Sequence, residues 1–137
     1  MINFKNILYP IDLDSENFSS LIKALEFGQI FNSQMHILYI NDSQAGYRHP
    51  TDHEDAVALK VREIAPAELL EQGKIKYAVS KGDLDSEIVK YSEENNIDLI
   101  ITGHKRRNKL YYALFDSPDE DIIETINLPV LVFPENG

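Results

Sequence analysis

Short unbroken apolar runs alternate along this chain with longer stretches in which apolar residues recur every three or four positions. The first run, residues 6–11 (NILYPI), stops at a polar turn and suits a strand buried on both faces. Pro10 has no N–H, so it weakens a central ladder unless it lies near the strand's end. Phe18, Leu21, Ile22, Leu25, Ile30 and Phe31 then recur at helical spacing, with Asp14 or Ser15 as the expected cap and a stop near Asn32-Ser33. Residues 35–40 (MHILYI) form the second run. A polar loop covers 42–54, and Thr51-Asp52-His53-Glu54 has the form of a capping box.

The next helical pattern carries Val57, Val61, Ile64, Leu69 and Leu70, and Pro66 is expected to kink or split it. Gly73 ends it, and residues 75–79 make a third, shorter strand. After the turn Gly82-Asp83-Leu84-Asp85, with Asp83 or Asp85 as cap, comes a helix with Ile88, Val89 and Tyr91 on one face, stopped by Asn95-Asn96. Residues 98–102 (DLIIT) are the fourth strand. A last helix carries Ile122, Ile123 and Ile126, and residues 129–133 (PVLVF) are the fifth strand. Alternating strands and helices joined by right-handed crossovers give an α/β fold: one doubly wound domain with a parallel sheet covered by helices on both faces.

Composition narrows the function. At 137 residues the chain suits one domain with a real core. It has no Cys, which rules out disulfides and thiolate metal sites and suits a reducing interior. The N-terminus is neither a signal peptide nor a membrane span, so a cytoplasmic location is expected. A net charge of −10 repels nucleic acid and anionic membranes, and neither is expected as a partner. Against that background a positive loop stands out: His104, Lys105, Arg106, Arg107 and Lys109 follow Gly103 and lead to Ser117-Pro118-Asp119-Glu120, a helix start. A strand, a glycine turn, a loop and a helix N-terminus make the usual frame of an anion or nucleotide site. The positive run reads equally well as a solvated surface loop.

Strand one ending in Ile11-Asp12 with Ser15 after it, Gly82, the stretch from Asp98 to Gly103 (DLIITG) and the closing Leu128 to Val132 (LPVLV) together resemble the universal stress proteins of the UspA type, over essentially the whole length. The resemblance implies strand order 3-2-1-4-5, with strands one and four at the topological switch point and a cleft at their C-terminal ends. It also implies a homodimer through the edge strand Pro129–Phe133. An exposed apolar edge gives the same expectation on physical grounds.

ATP-binding relatives carry a loop of the form G-x-x-G, nine residues, then G-[ST]. Aligned on Gly103, this chain keeps Gly103 and Ser117 but has Arg106 and Asp116 where the other two glycines belong. Those glycines let backbone N–H groups approach phosphate closely. Arg106 can offer charge-assisted bonds instead. Asp116 places a carboxylate where phosphate should lie, and Ser117 to Glu120 form a capping box that satisfies the helix by itself. The chain therefore resembles the branch with a degenerate glycine loop. No cofactor is expected. The alternative is ATP or AMP with Mg, held by Asp12, Ile40, Gly103, Arg106 and Ser117, with Lys105 and Arg107 nearby.

Each of those residues has a plainer reading. Asp12 is also a natural acceptor for neighbouring loop N–H groups, and Ile40 is ordinary core. A phosphoacceptor receiver needs Asp after strand three and Lys after strand five, where Ser80-Lys81 and Phe133-Pro134 stand. His49 and His53 lack a third ligand, so no metal is expected. His36, inside a strand, reads as a packing histidine. No nucleophile or general base stands out, so catalysis is not expected beyond a slow ATPase in the nucleotide-switch alternative. The leading expectation is a stress-response module that acts on unidentified protein partners.

Overall fold

Strand β1 (Asn6–Ile11) lies at the centre of the sheet. A computed structural model describes residues 3–13, 18–41, 54–104, 114–115 and 126–134. β1 pairs in parallel with β2 (Gln34–Asn41) on one side and with β4 (Leu99–His104) on the other. β3 (Lys74–Lys81) and β5 (Val130–Pro134) extend the sheet outward, also in parallel, to give the order β3-β2-β1-β4-β5. This is the expected order. The strands run longer than their apolar cores suggested: β2 takes in Asn41, and β3 runs three residues either side of Tyr77–Ala78 because the full length of β2 pairs with it.

The two faces of the sheet are buried by different helices. Ile7, Tyr9 and Ile11 of β1, Met35, Ile37 and Tyr39 of β2, and Leu99 and Ile101 of β4 form one core. Leu21, Ala24 and Leu25 of α1 (Ser19–Ile30) and Val57 and Val61 of α2 (Glu54–Ile64) close it. Residues one step along, Leu8, Leu38, Ile40 and Ile100, point the other way and meet Ile88 of α4 (Leu84–Glu94). Side chains of successive strand residues alternate between faces, so a strand covered on both sides must be apolar throughout.

Pro66 splits the second helical pattern. α2 ends at Ile64, and Pro66, at φ −59° and ψ 142°, is the cap from which α3 (Ala67–Gln72) starts. Gly73 follows, where an added Cβ would sit 2.7 Å from the Leu69 carbonyl oxygen. α1 and α4 end alike. Asn32 (φ 54°) and Asn96 (φ 53°) take the left-handed conformation, and the next amides, Ser33 and Ile97, donate to the carbonyls of Gly28 and Ser92.

The helix starts depart from expectation. α1 begins at Ser19 with Phe18 at the cap position and no side-chain capping bond, while Asp14 and Ser15 lie outside the described residues. A tertiary contact anchors this turn instead: the Tyr9 and Ser20 hydroxyls hydrogen-bond at 2.7 Å. Asp83 occupies the cap position of α4 but makes no capping bond, and Asp85 accepts only from the amide of Ser86. The acids in that first turn, Asp85 and Glu87, still complement the helix dipole. The Thr51 capping box and the helix through Ile122 and Ile123 fall outside the described residues.

Polar groups fasten β1 at its start. The Asp98 carboxylate precedes β4 and accepts from the amides of Lys5 and Asn6, both at 2.9 Å. His36, 4% exposed, joins β2 to its surroundings. Its Nε2 is 3.0 Å from Asn6 Oδ1 and its Nδ1 is 2.8 Å from the Tyr91 hydroxyl. An amide oxygen can only accept, so Nε2 carries the proton and Nδ1 accepts from Tyr91. Burial, with the Lys76 ammonium adding to it, holds His36 below the ordinary histidine value, and burial raises Tyr91.

A histidine with a lowered folded-state pKa takes up its proton more readily when unfolded. Its contribution to stability is full above the ordinary value near 6.5 and is lost as pH falls toward the lowered folded value. Urea unfolding from about pH 8 to about pH 5 is therefore expected to show a falling midpoint, and His36→Gln, which does not titrate, should flatten that fall. An equal fall in both proteins would clear His36 of the effect.

Candidate functional site

The backbone pairing of the two central strands stops before they end. Hydrogen bonds of parallel strands go to alternate neighbours. The Lys5 carbonyl accepts from Gln34 at the start of β2, and the Asn6 carbonyl accepts from Asp98 beside β4. The same alternation turns residues 8 and 10 toward β4. Pro10 thus faces β4 with no N–H to give, and the β1–β4 register stops at Leu8↔Ile100 while β1–β2 pairing continues to Ile11↔Tyr39. That place, beside the C-terminal ends of β1 and β4, is the switch point where the chain's crossovers change face.

Asp12 follows β1 directly and is half-buried. Gly103, near the end of β4, is buried next to Thr102, which is 1% exposed and whose hydroxyl donates to the Gly103 carbonyl at 3.3 Å. Ile40 is 3% exposed and belongs to the core under α4. The fold thus brings Asp12, Ile40 and Gly103 to one end of the sheet. Lys105, Arg106, Arg107, Asp116 and Ser117 lie outside the described residues, as do His49 and His53. Among the described residues no group of three or more His, Asp or Glu could hold a metal ion. Nor is any described helix long and apolar enough to cross a membrane.

Sequence reasoning missed the ends of β2 and β3. Asn41, Val79, Ser80 and Lys81 line an opening of about 280 Å³ there. The Gly82 amide donates to the Asn41 carbonyl at 3.1 Å, with Gly82 at φ 144°, a conformation that suits only glycine. Ser80 Oγ is buried with no hydrogen-bond partner among the described residues. The available signal was Lys81-Gly82 closing a strand, read only as a turn. The described end of the sheet thus holds a carboxylate (Asp12), an ammonium (Lys81) and a buried hydroxyl (Ser80). These groups suit hydrogen bonding to a small polar ligand and include no nucleophile with an adjacent base.

An open, doubly wound α/β sheet with the order β3-β2-β1-β4-β5 and a switch point beside β1 defines the class of protein. The sequence model of the universal stress protein family matches residues 3–134, and the chain belongs to that family. It is 25% identical to universal stress protein A of Buchnera aphidicola, over 98% of this chain and 99% of that one. Among solved structures, the universal stress protein UspA from Lactobacillus plantarum superposes with a TM-score of 0.68 at 21% identity, covering 96% of this chain and 98% of that one. A universal stress protein in complex with cAMP superposes at 0.66 with 14% identity, covering 98% of this chain and 99% of that one. At such identities the structural likenesses establish the fold.

Pro10→Ala tests what ends the β1–β4 pairing. The new amide at position 10 is expected to point at β4 and to exchange slowly with solvent, extending the ladder past Leu8↔Ile100. Fast exchange of that amide would mean that Pro10 is not what ends the pairing.

Proposed function

We propose that this universal stress protein works in the cytoplasm as a dimeric regulatory interaction module whose cleft does not bind ATP. The observation that carries the reading is the substitution of two loop glycines, with Arg106 and Asp116 standing where relatives that bind ATP have glycine. A carboxylate at 116, followed closely in sequence by Asp119, Glu120 and Asp121, adds negative charge where a triphosphate would need positive charge. Asp12 after β1 and Gly103 near the end of β4 keep the residue types that the family resemblance assigns to the frame around that loop. That frame favours one second reading, an adenine-nucleotide switch. A ligand with a single phosphate, as in the relative solved with cAMP, makes smaller demands on the loop than ATP does.

Calorimetric titration of ATP with Mg²⁺ into the protein, after extraction and assay of any carried nucleotide, decides between them. No heat is expected from nucleotide-free protein. Micromolar binding, about −8 kcal/mol, would overturn the module in favour of the switch. Asp116→Gly is expected to restore measurable affinity by removing the obstructing charge.

The dimer uses β5, which lies at the edge of the sheet. Ile100 donates to the Pro129 carbonyl, so alternation turns Leu131 and Phe133 toward β4 and leaves the amides of Val130 and Val132 facing outward. Val132→Pro removes one outward amide and spares the pairing with β4. Sedimentation is expected to show dimerisation weakened about tenfold or more, with circular dichroism unchanged. An unaltered dimer would place the interface elsewhere.

A further inference from the structure

On the face of the molecule carrying α1 and α3, away from α4, the two helices leave a groove of about 590 Å³ between them. Its apolar lining is Ile22 and Ile30 of α1 with Pro66 and Leu69 beside and in α3, and Ile30 is 77% exposed. Phe31, the next residue, is 51% exposed and stacks on Phe27 at 4.6 Å between ring centres. Set beside the groove's other apolar side chains, Ile30 makes an exposed apolar patch of the kind used for contacts. The amides of Gln29 and Gln72 hydrogen-bond across the groove and hold the helix ends together.

The groove is acidic as well as apolar. Glu26 and Glu68 line it, and no basic residue does among those described. α1 and α3 together contain one cation, Lys23, and its ammonium lies 5.7 Å from the ring centre of Phe133, engaged with another element. Neither helix has a basic residue in its last turn, so the negative end of the α1 dipole adds to the two carboxylates near Ile30. Ile22, Glu26, Gln29 and Ile30 run along one side of α1 at helical spacing, about 12 Å from first to last at 1.5 Å per residue. That length matches about two turns of a partner helix.

We propose that this groove docks a basic amphipathic helix of another protein, with apolar residues at i, i+4 and i+7 set between Ile22, Ile30 and Leu69, and Lys or Arg flanking them opposite Glu26 and Glu68. Apolar anchors in such a groove give affinity, and the unbalanced negative charge selects the sign of the partner. The proposal names a partner class for the interaction module and rests on that reading. The module is tested at the cleft and at β5, whereas this surface is tested on its own face, so the two fail separately.

The probe is a synthetic amphipathic helix with Leu on one face and Lys on the other, labelled for fluorescence anisotropy, beside a twin with Glu replacing each Lys. The Lys peptide is expected to bind, more weakly as salt rises, and the Glu twin to bind at least about tenfold more weakly. Ile30→Ser, at an exposed position that leaves the fold intact, is expected to weaken the Lys peptide about tenfold, as is the pair Glu26→Lys with Glu68→Lys. The control pair Glu93→Lys with Glu94→Lys makes the same change in net charge on α4, across the sheet, and is expected to leave binding unchanged. Equal loss in the control pair would reduce the effect to overall charge and overturn the proposal. So would equal binding of the twin, or indifference to Ile30→Ser. Self-association of the wild type that Ile30→Ser abolishes would overturn it too, making the occupant a second copy of this chain.

Discussion

Ile7 and Leu8 are neighbours in the chain, both fully buried, and they point to opposite faces of the sheet. Burying each contributes about 1.5–3 kcal/mol, and neither can be buried unless its own face is covered. A central strand of this kind needs helices above and below and strands on both edges. The parallel crossovers that supply them carry the chain to opposite sides of β1, which creates a switch point beside it. The switch point is thus a by-product of burying β1, and beside it Pro10 withholds one hydrogen bond from β4.

The polar groups inside the fold serve to fix register rather than to do chemistry. Asp98 gathers the amides of Lys5 and Asn6 where β1 starts, before the ladder with β4 begins. Asn6 then accepts from His36, and His36 accepts from Tyr91, so that β1, β2 and α4 are joined by one chain of bonds. Each member is satisfied by the next, which is the condition for keeping such groups out of water. These residues lie at the N-terminal half of the sheet, and the candidate ligand groups Asp12, Gly103, Ser80 and Lys81 lie at the opposite end. Stability and recognition are therefore separated along the strands.

Three surfaces then remain for function, and they differ in physical kind. The cleft offers a few polar groups around backbone. β5 offers unpaired strand edge, whose natural complement is another strand. The α1–α3 groove offers apolar contact inside a negative field, in a chain whose net charge is already −10. The scaffold behind all three is the two-faced core of β1, β2 and β4.

Local pattern was enough for much of the fold. Apolar runs located the strands, since a strand buried on both sides has no polar phase to disguise it, and the stops at Asn32, Pro66, Gly73 and Asn96 follow from backbone chemistry that each residue carries alone. The helix starts were not legible in this way. Asp83 stands at the cap of α4 without capping it, and α1 is anchored by Ser20 on Tyr9, a contact between residues that only the packed sheet brings together. The direction of Pro10's missing bond, the opening at Ser80 and Lys81, and the acidic groove between α1 and α3 also required the tertiary structure. Each depends on which neighbour a residue faces, and one-dimensional spacing does not carry that information.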